Sequence, residues 1–460
     1  MPRKAKRYVF AKLANLWEAV TSGLWFIPGL LMTLAVVAGL GMPVIDRQFE
    51  LEAASGLLFG GTAEAARTLL GTTAAAMITV VAVGFSVTIV AIQQAATQYT
   101  PRVLGTFMRN RGNQLVLGAY LATFTYALLV LRQVRDDAAG QGQFVPGLSV
   151  TAAVLFALVS IALFIFFMQH IAQQLQSATI LQSVRNEMLG TIRRMFPEEF
   201  GTEEEFPIDE KLLVARAQSH GAIHRQHIRA EDSGYLRRID EGQLLSLHSD
   251  AEFVHVRQAV GEYVAAGQGL LTIWSRQPID QSALDRMRSS FILGANRTMV
   301  QDPLFGLQQM TDIAVKALSP GINDPSTAAQ AMDNLATVLA VLATRQFPNP
   351  LRRGGNEVTY LFSVPTFGDY VDSGLKDIHH FGRNNPSTLS YLLRTLDRIA
   401  EQVPSAARAS VVRNHVERIA DGLDSAAFAD ADKAALREQC RRVTQRMAET
   451  VGDQNLRSAS

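Results

Sequence analysis

The sequence predicts an α-helical membrane protein: four transmembrane helices joined to a cytoplasmic α+β region. In that region a small β-barrel or meander precedes an all-helical domain with a duplicated helix–corner–helix. Three observations carry this reading. Four uncharged apolar runs, Leu24–Ile45, Thr72–Ile92, Leu115–Leu131 and Leu148–Met168, are long enough or nearly so for the roughly 20 residues that cross a hydrocarbon core. Short alternating runs broken by glycine begin after Phe206, the pattern of strands and turns. A seven-residue pattern, GINDPST at 321–327, returns as GRNNPST at 382–388.

The bulk numbers fit the same class. Of 460 residues, 48% are hydrophobic and 18% charged, and the formal net charge is +1. Such balance predicts no nucleic-acid partner, which would call for a basic excess. The one cysteine, Cys440, allows neither a disulfide nor a cysteine zinc site within the chain. Its place on an apolar stripe with Leu436, Val443 and Met447 marks it as a core residue.

Residues 1–22 form a basic N-terminus with Arg3, Lys4, Lys6, Arg7 and Lys12, and residues 23–168 hold the four spans. The first span has too long a core, and no clean cleavage site after it, to be a signal peptide. The third is the shortest. Arg102, Arg109 and Arg111 lie between spans two and three with no acid among them, whereas the other two loops mix acids with arginines. Basic loops stay cytoplasmic, so both termini are predicted inside a bacterial inner membrane. The three arginines would then face anionic lipid headgroups. Span four continues as an apolar stripe through Ile171, Leu175, Leu181, Met188, Ile192 and Met195, which predicts a helical stalk over 169–200.

A small β-rich domain is expected over 206–280 and a helical domain over 281–451, followed by a disordered tail at 452–460. The stretch "FVHVRQAVGEYVAAGQGLLTIW" is similar to half of a biotinyl-type barrel, without the lysine that would carry a cofactor. A plain meander explains it as well. In the helical domain, residues 303–345 and 370–402 form the repeat. Pro320 and Gly321 can end one helix. Asn323 or Asp324 can cap the next, and Pro325 suits its first turn. The second copy has Asn385 in place of Asp324.

No Walker loop, nucleophile elbow, zinc-protease motif or dinucleotide fingerprint appears. No enzyme and no cofactor are predicted. His220, His224 and His227 lead into a strand and read as solvated histidines, not zinc ligands. The best polar constellation is Asn296, Arg297, Asp302, Asp312, Asn323 and Asp324. It reads either as a pocket for a small ligand, ion or partner, or as caps that fix the corner. None of the spans contains Asp, Glu, Lys, Arg or His, which argues against an ion-coupled transporter. Met77, Val81, Gly84, Thr88 and Ala91 share one face of span two. Such a face packs helices closely, or lines a weakly polar pore in an oligomer.

The stretch "FILGANRTMVQDPLFGLQQMTDIAVKALSPGINDPSTAAQAMDNL" at 291–335 and "QYTPRVLGTFMRNRGNQLVLGAY" at 98–120 resemble the membrane-protein family called domain of unknown function 2254. The resemblance spans nearly the whole chain. It implies four spans and a cytoplasmic C-terminal region, and it implies no activity. The sequence thus predicts a homo-oligomeric inner-membrane protein whose cytoplasmic region senses or binds something and couples through stalks to the spans, in a channel-like manner. The alternative is a membrane-anchored binding or scaffold module without conductance.

Overall fold

The structure is a computed structural model describing residues 25–49, 58–98, 111–135, 144–174, 176–197, 209–246 and 250–458. The basic N-terminus, Arg102 and Arg109 fall outside these residues, and Arg111 begins a helix. The chain divides into two units, Met1–Thr179 and Ile180–Ser460.

The first unit holds α1 (Phe26–Phe49), α2 (Ala63–Gln98), α3 (Arg111–Leu131) and α4 (Gly147–Gln174). Each contains a stretch long and apolar enough to cross a membrane: Phe26–Gln48, Ala63–Gln94, Gly112–Leu131 and Gly147–Gln173. The shortest span is the central one. Helix α3 packs on α1, α2 and α4, and 50% of its span is buried against 22–28% in the others. Gly118 permits this approach, since a Cβ there would lie 2.9 Å from the Pro28 Cα. One end of the bundle is laced by polar bonds. Asp46, expected in a loop, sits in the last turn of α1 and caps α4. Its carboxylate accepts from the Leu148 and Ser149 amides at 3.0 Å and from the Ser149 hydroxyl. The Gln133 amide donates to Gly39 O at 2.9 Å, and Arg67 to Val134 O at 3.2 Å. Carbonyls exposed at helix ends need such donors where water is scarce.

The expected stalk falls on two elements: α4 ends at Gln174, and α5 runs over Ser177–Met195. The polar run Gln173, Gln174, Gln176 and Ser177 interrupts the apolar stripe there. Leu181, Val184, Met188 and Ile192 are then buried, and Met188 lies against Gly306, where any Cβ would overlap it. This helix belongs to the second unit's core.

The β-region is an open pair of sheets, not a closed barrel. Strands β1 (His224–Arg229), β5 (Gly269–Ser275), β3 (Ala251–Val256), β8 (Thr359–Phe362) and β7 (Leu351–Arg353) form one sheet in that order. Strands β4 (Tyr263–Val264), β2 (Gly234–Ile239) and β6 (Phe291–Gly294) form the other. Both contribute to one core that includes Leu236, Val254, Val264, Ile273, Met287 and Tyr360. The pairing of β3 with β8 is parallel. It brings in residues far beyond 280, so the β-region does not end where local patterning suggests. Short helix α6 (Glu210–Ser219) precedes β1, and α7 (Glu241–Leu245) and α8 (Gln281–Arg288) connect β2 to β3 and β5 to β6.

The remaining helices are α9 (Pro303–Ala317), α10 (Pro325–Ala343), α11 (Phe367–Gly382), α12 (Pro386–Ala400), α13 (Ala406–Leu423) and α14 (Asp430–Ser458). Helix α9 packs on α11 and α10 on α12. The Thr311 hydroxyl donates to Gly374 O at 2.9 Å across the first contact. Arg398 pairs with Asp333 across the second. The buried Arg408 guanidinium donates to Ala343 O and Arg345 O, both at 2.8 Å, and so closes the C-terminal end of α10. Cys440 lies in this core, and burial pushes its thiol up to about 11. The tail expected to be disordered over 452–460 is helical through Ser458.

Candidate functional site

The six residues of the polar constellation do not form one pocket. They fall at the two ends of α9, whose 15 residues separate the ends by about 22 Å at 1.5 Å per residue. Arg297 and Asp302 stand at its head and Asn323 and Asp324 beyond its tail. Asp312 is half-buried in mid-helix, and Asn296 is exposed in the bend after β6.

At the tail, Asp324 caps α10. One oxygen accepts from the Thr327 amide at 3.0 Å and the other from the Thr327 hydroxyl at 2.6 Å. These bonds, the hydroxyl's first, hold its carboxyl below the usual range. Asn323 is the left-handed residue of the corner, at φ 46°. Gly321, expected with Pro320 to end α9, is not among the positive-φ positions. Asparagine tolerates this region through its short polar side chain. The second corner repeats the cap with Asn385, which accepts from the Thr388 amide at 3.1 Å.

At the head, Asp302 caps α9 through the Phe305 amide at 3.2 Å and is 3% exposed. Arg297 meets the same carboxylate with Nε at 2.9 Å and Nη2 at 2.8 Å. Its Nη1 donates to Gln308 Oε1 at 2.9 Å. The guanidinium lies 5.1 Å from the centre of the Phe305 ring. Gly261 closes over the pair at φ 96°, where a Cβ would overlap the carboxylate. Burial pushes the Asp302 carboxyl up and Arg297 pulls it back.

Asp302 forms part of the wall of a cleft of about 520 Å³, within the size range of small-molecule sites. The lining comes from several separate stretches of chain. Phe196, Leu304, Phe362 and Tyr370 are apolar parts of it; Arg194, Arg238, Arg352, Asp240, Glu241 and Gln301 are polar ones. Gln301 extends β2 by bonding both the amide and the carbonyl of Ile239, at 2.9 and 3.2 Å. The pairing of β2 with β6 slips between Leu236 and Arg238. Such a slip re-aims a side chain, and Arg238 stands exposed. Tyr370, only 1% exposed, packs against Phe347 and Phe196. Burial and the nearby Asp302 charge push its phenol up, so it remains a donor. Among the described residues its hydroxyl has no hydrogen-bond partner.

The face of α2 formed by Met77, Val81, Gly84, Thr88 and Ala91 is buried within the first unit. A Cβ on Gly84 would touch Leu117 of α3 at 3.3 Å and Phe167 of α4 at 3.9 Å. The Thr88 hydroxyl donates to Gly84 O at 2.8 Å, inside its own helix. Among the described residues, no group of three or more His, Cys, Asp or Glu is placed to hold a metal ion.

The constellation contained two of the cleft's neighbours, Arg297 and Asp302, because caps and charges are visible locally. Tyr370, Arg194 and Arg238 carry no local signal, since only folding brings them together. Gly261 lay in the glycine-punctuated stretch, but its role against Asp302 is a tertiary one.

Residues 21–398 match the model of a family described as predicted membrane protein, DUF2254. An uncharacterized protein of Mycobacterium bovis is 30% identical over 441 residues, covering 93% of this chain and 81% of the relative. An uncharacterized protein of Mycobacterium tuberculosis strain H37Rv matches with the same identity and coverage. No solved structure matches the chain.

Proposed function

This chain belongs to the DUF2254 family of predicted membrane proteins, and from that premise we propose a membrane-anchored binding protein without enzymatic activity. Its C-terminal unit holds a small molecule in the cleft at the head of α9, and its four helices anchor and assemble it. The observation that carries this reading is the cleft itself, with a buried tyrosine whose hydroxyl is unclaimed. Its carboxylates are committed elsewhere: Asp302 to Arg297, Glu241 to Arg352 and Asp240 to the Gln243 amide. No pair of groups is left to act as nucleophile and base, so the cleft suits binding rather than chemistry.

A pore along Met77–Ala91 has less support than packing, because α3 and α4 already cover that face. The opposite face of α2 offers Thr68, Thr72, Ala76 and Thr79, all exposed. Their hydroxyls are spent on carbonyls one turn back, at 2.7 to 3.0 Å. What remains is an open groove of small groups, bordered by Ala157 and Ile161 of α4, suited to a helix of a second copy. We also read residues 303–345 and 370–402 as two copies of one helix–corner–helix, with both termini on the cytoplasmic side of a bacterial inner membrane.

A thermal-shift screen of the full chain tests the binding role. Compounds that raise the melting temperature of the natural protein should fail on Ser363→Trp, which fills the cleft from an exposed lining position. Stabilisers that act equally on both proteins would remove the cleft from the account. Reporter fusions after Gln114 and Arg185 test the orientation, and both should report cytoplasm.

A further inference from the structure

We propose that the cleft takes an organic phosphate, a compact anionic group carried on an apolar body. The proposal rests on the cleft being a ligand site, and it adds the charge and shape of the ligand.

The argument is one of unspent charge. Arg352 is neutralised by Glu241 and lies 4.6 Å from the centre of the Phe362 ring. Arg194 donates to the Thr191 hydroxyl at 3.1 Å. Among the described residues, neither Arg194 nor Arg238 has a carboxylate within ion-pair distance. The acids that share the cleft are engaged, Asp302 most completely. Two exposed guanidiniums are therefore unpaired cations at the rim, against one unpaired carboxylate, Asp240, whose side chain accepts from the neutral Gln243 amide. A cation would be repelled by them, and a neutral ligand would desolvate them without return. A phosphate offers the planar fork its matching acceptors.

A third donor completes the match. Tyr370 lines the same cleft, and its hydroxyl, held protonated, can donate to a phosphate oxygen. Phe196, Leu304 and Phe362 supply the apolar wall. An isolated inorganic anion would leave that wall unused, so an organic body is part of the inference. Soluble phosphate esters and the headgroups of phospholipids share this chemistry.

The test is calorimetric titration of the full chain in a neutral detergent. Phenyl phosphate is the probe, with inorganic phosphate, phenol and dihexanoyl phosphatidic acid as comparisons. We expect phenyl phosphate to bind saturably, at least about tenfold more tightly than either inorganic phosphate or phenol. Arg238→Ala and Arg194→Ala should each weaken it by about tenfold, and both positions are exposed enough to change without disturbing the fold. Tyr370→Phe keeps the packing and should weaken binding about threefold. A tighter fit for the phosphatidic acid assigns the ligand to lipid, and a weaker one to soluble esters; either order agrees with the proposal. Phenol binding as tightly as phenyl phosphate would leave a ligand site but overturn its anionic character. Full affinity in both arginine variants would do the same. No saturable binding of any probe up to about 10 mM would overturn the site and the proposal together.

Discussion

At the first corner of the helical region, Asp324 accepts from both the amide and the hydroxyl of Thr327. At the second, Asn385 accepts from the amide of Thr388, whose buried hydroxyl has no hydrogen-bond partner. The two corners otherwise share a proline at the first helical position and a threonine at the third. The carboxylate of the first corner is thereby explained without a ligand: it gives the threonine hydroxyl an acceptor. The charge that does something else is at the far end of α9. There Asp302 is buried with Arg297 under Gly261 and beside the cleft.

Substitutions at these places should rank accordingly. Arg297→Met leaves Asp302 buried without its cation, and removing one partner of a buried pair costs about 3 kcal/mol or more at neutral pH. Asp302 already sits above the usual carboxylate range through burial, and without Arg297 it rises further. Its protonated form is favoured in the fold, so the defect should shrink as pH falls through that raised value. Unfolding measured at pH 7.5 and pH 5 checks this; equal defects at both would mean the carboxylate is not desolvated. Gly261→Ala combines a positive φ with an overlap on the same carboxylate and should cost more than about 1 kcal/mol.

Next comes Asp324→Asn, which removes the acceptor for the Thr327 hydroxyl and should cost about 1 kcal/mol. Thr327→Val should cost a similar amount, and the double variant little more, because both remove one bond. The Asp324 carboxyl is held low, so its contribution is full above the ordinary aspartate value of about 3.9 and is lost as pH falls through the lower folded value. Asp324→Asn should flatten that acid limb of the stability profile. The smallest effect belongs to Thr388→Val, which deletes a hydroxyl with no partner and should be neutral or slightly stabilising. A cost equal to that of Thr327→Val would erase the difference between the corners.

The spans, the caps and the corners were legible because each is written in contiguous residues. A run such as Thr72–Ile92 declares itself by lacking charge, and Pro325 and Pro386 announce helix starts. Long-range partners were not legible. Asp46 reads as a loop acid until it meets Ser149. The end of the β-region is misjudged because β8 joins β3 across the sequence. The predicted stalk extended an apolar stripe across Gln174, although α5 has its own partners to satisfy that stripe. The cleft was the least visible feature. Arg194, Arg238 and Tyr370 are ordinary residues in ordinary helices and strands until the fold gathers them.

The central claim is that binding belongs to the head of α9 and architecture to its tail. Phenyl phosphate titrated into Asp324→Asn and Ser363→Trp tests it most directly. We predict that Asp324→Asn keeps the affinity of the natural protein within about twofold and that Ser363→Trp loses saturable binding. Loss of binding in a stably folded Asp324→Asn, with binding retained in Ser363→Trp, would place the site at the corner and contradict the account.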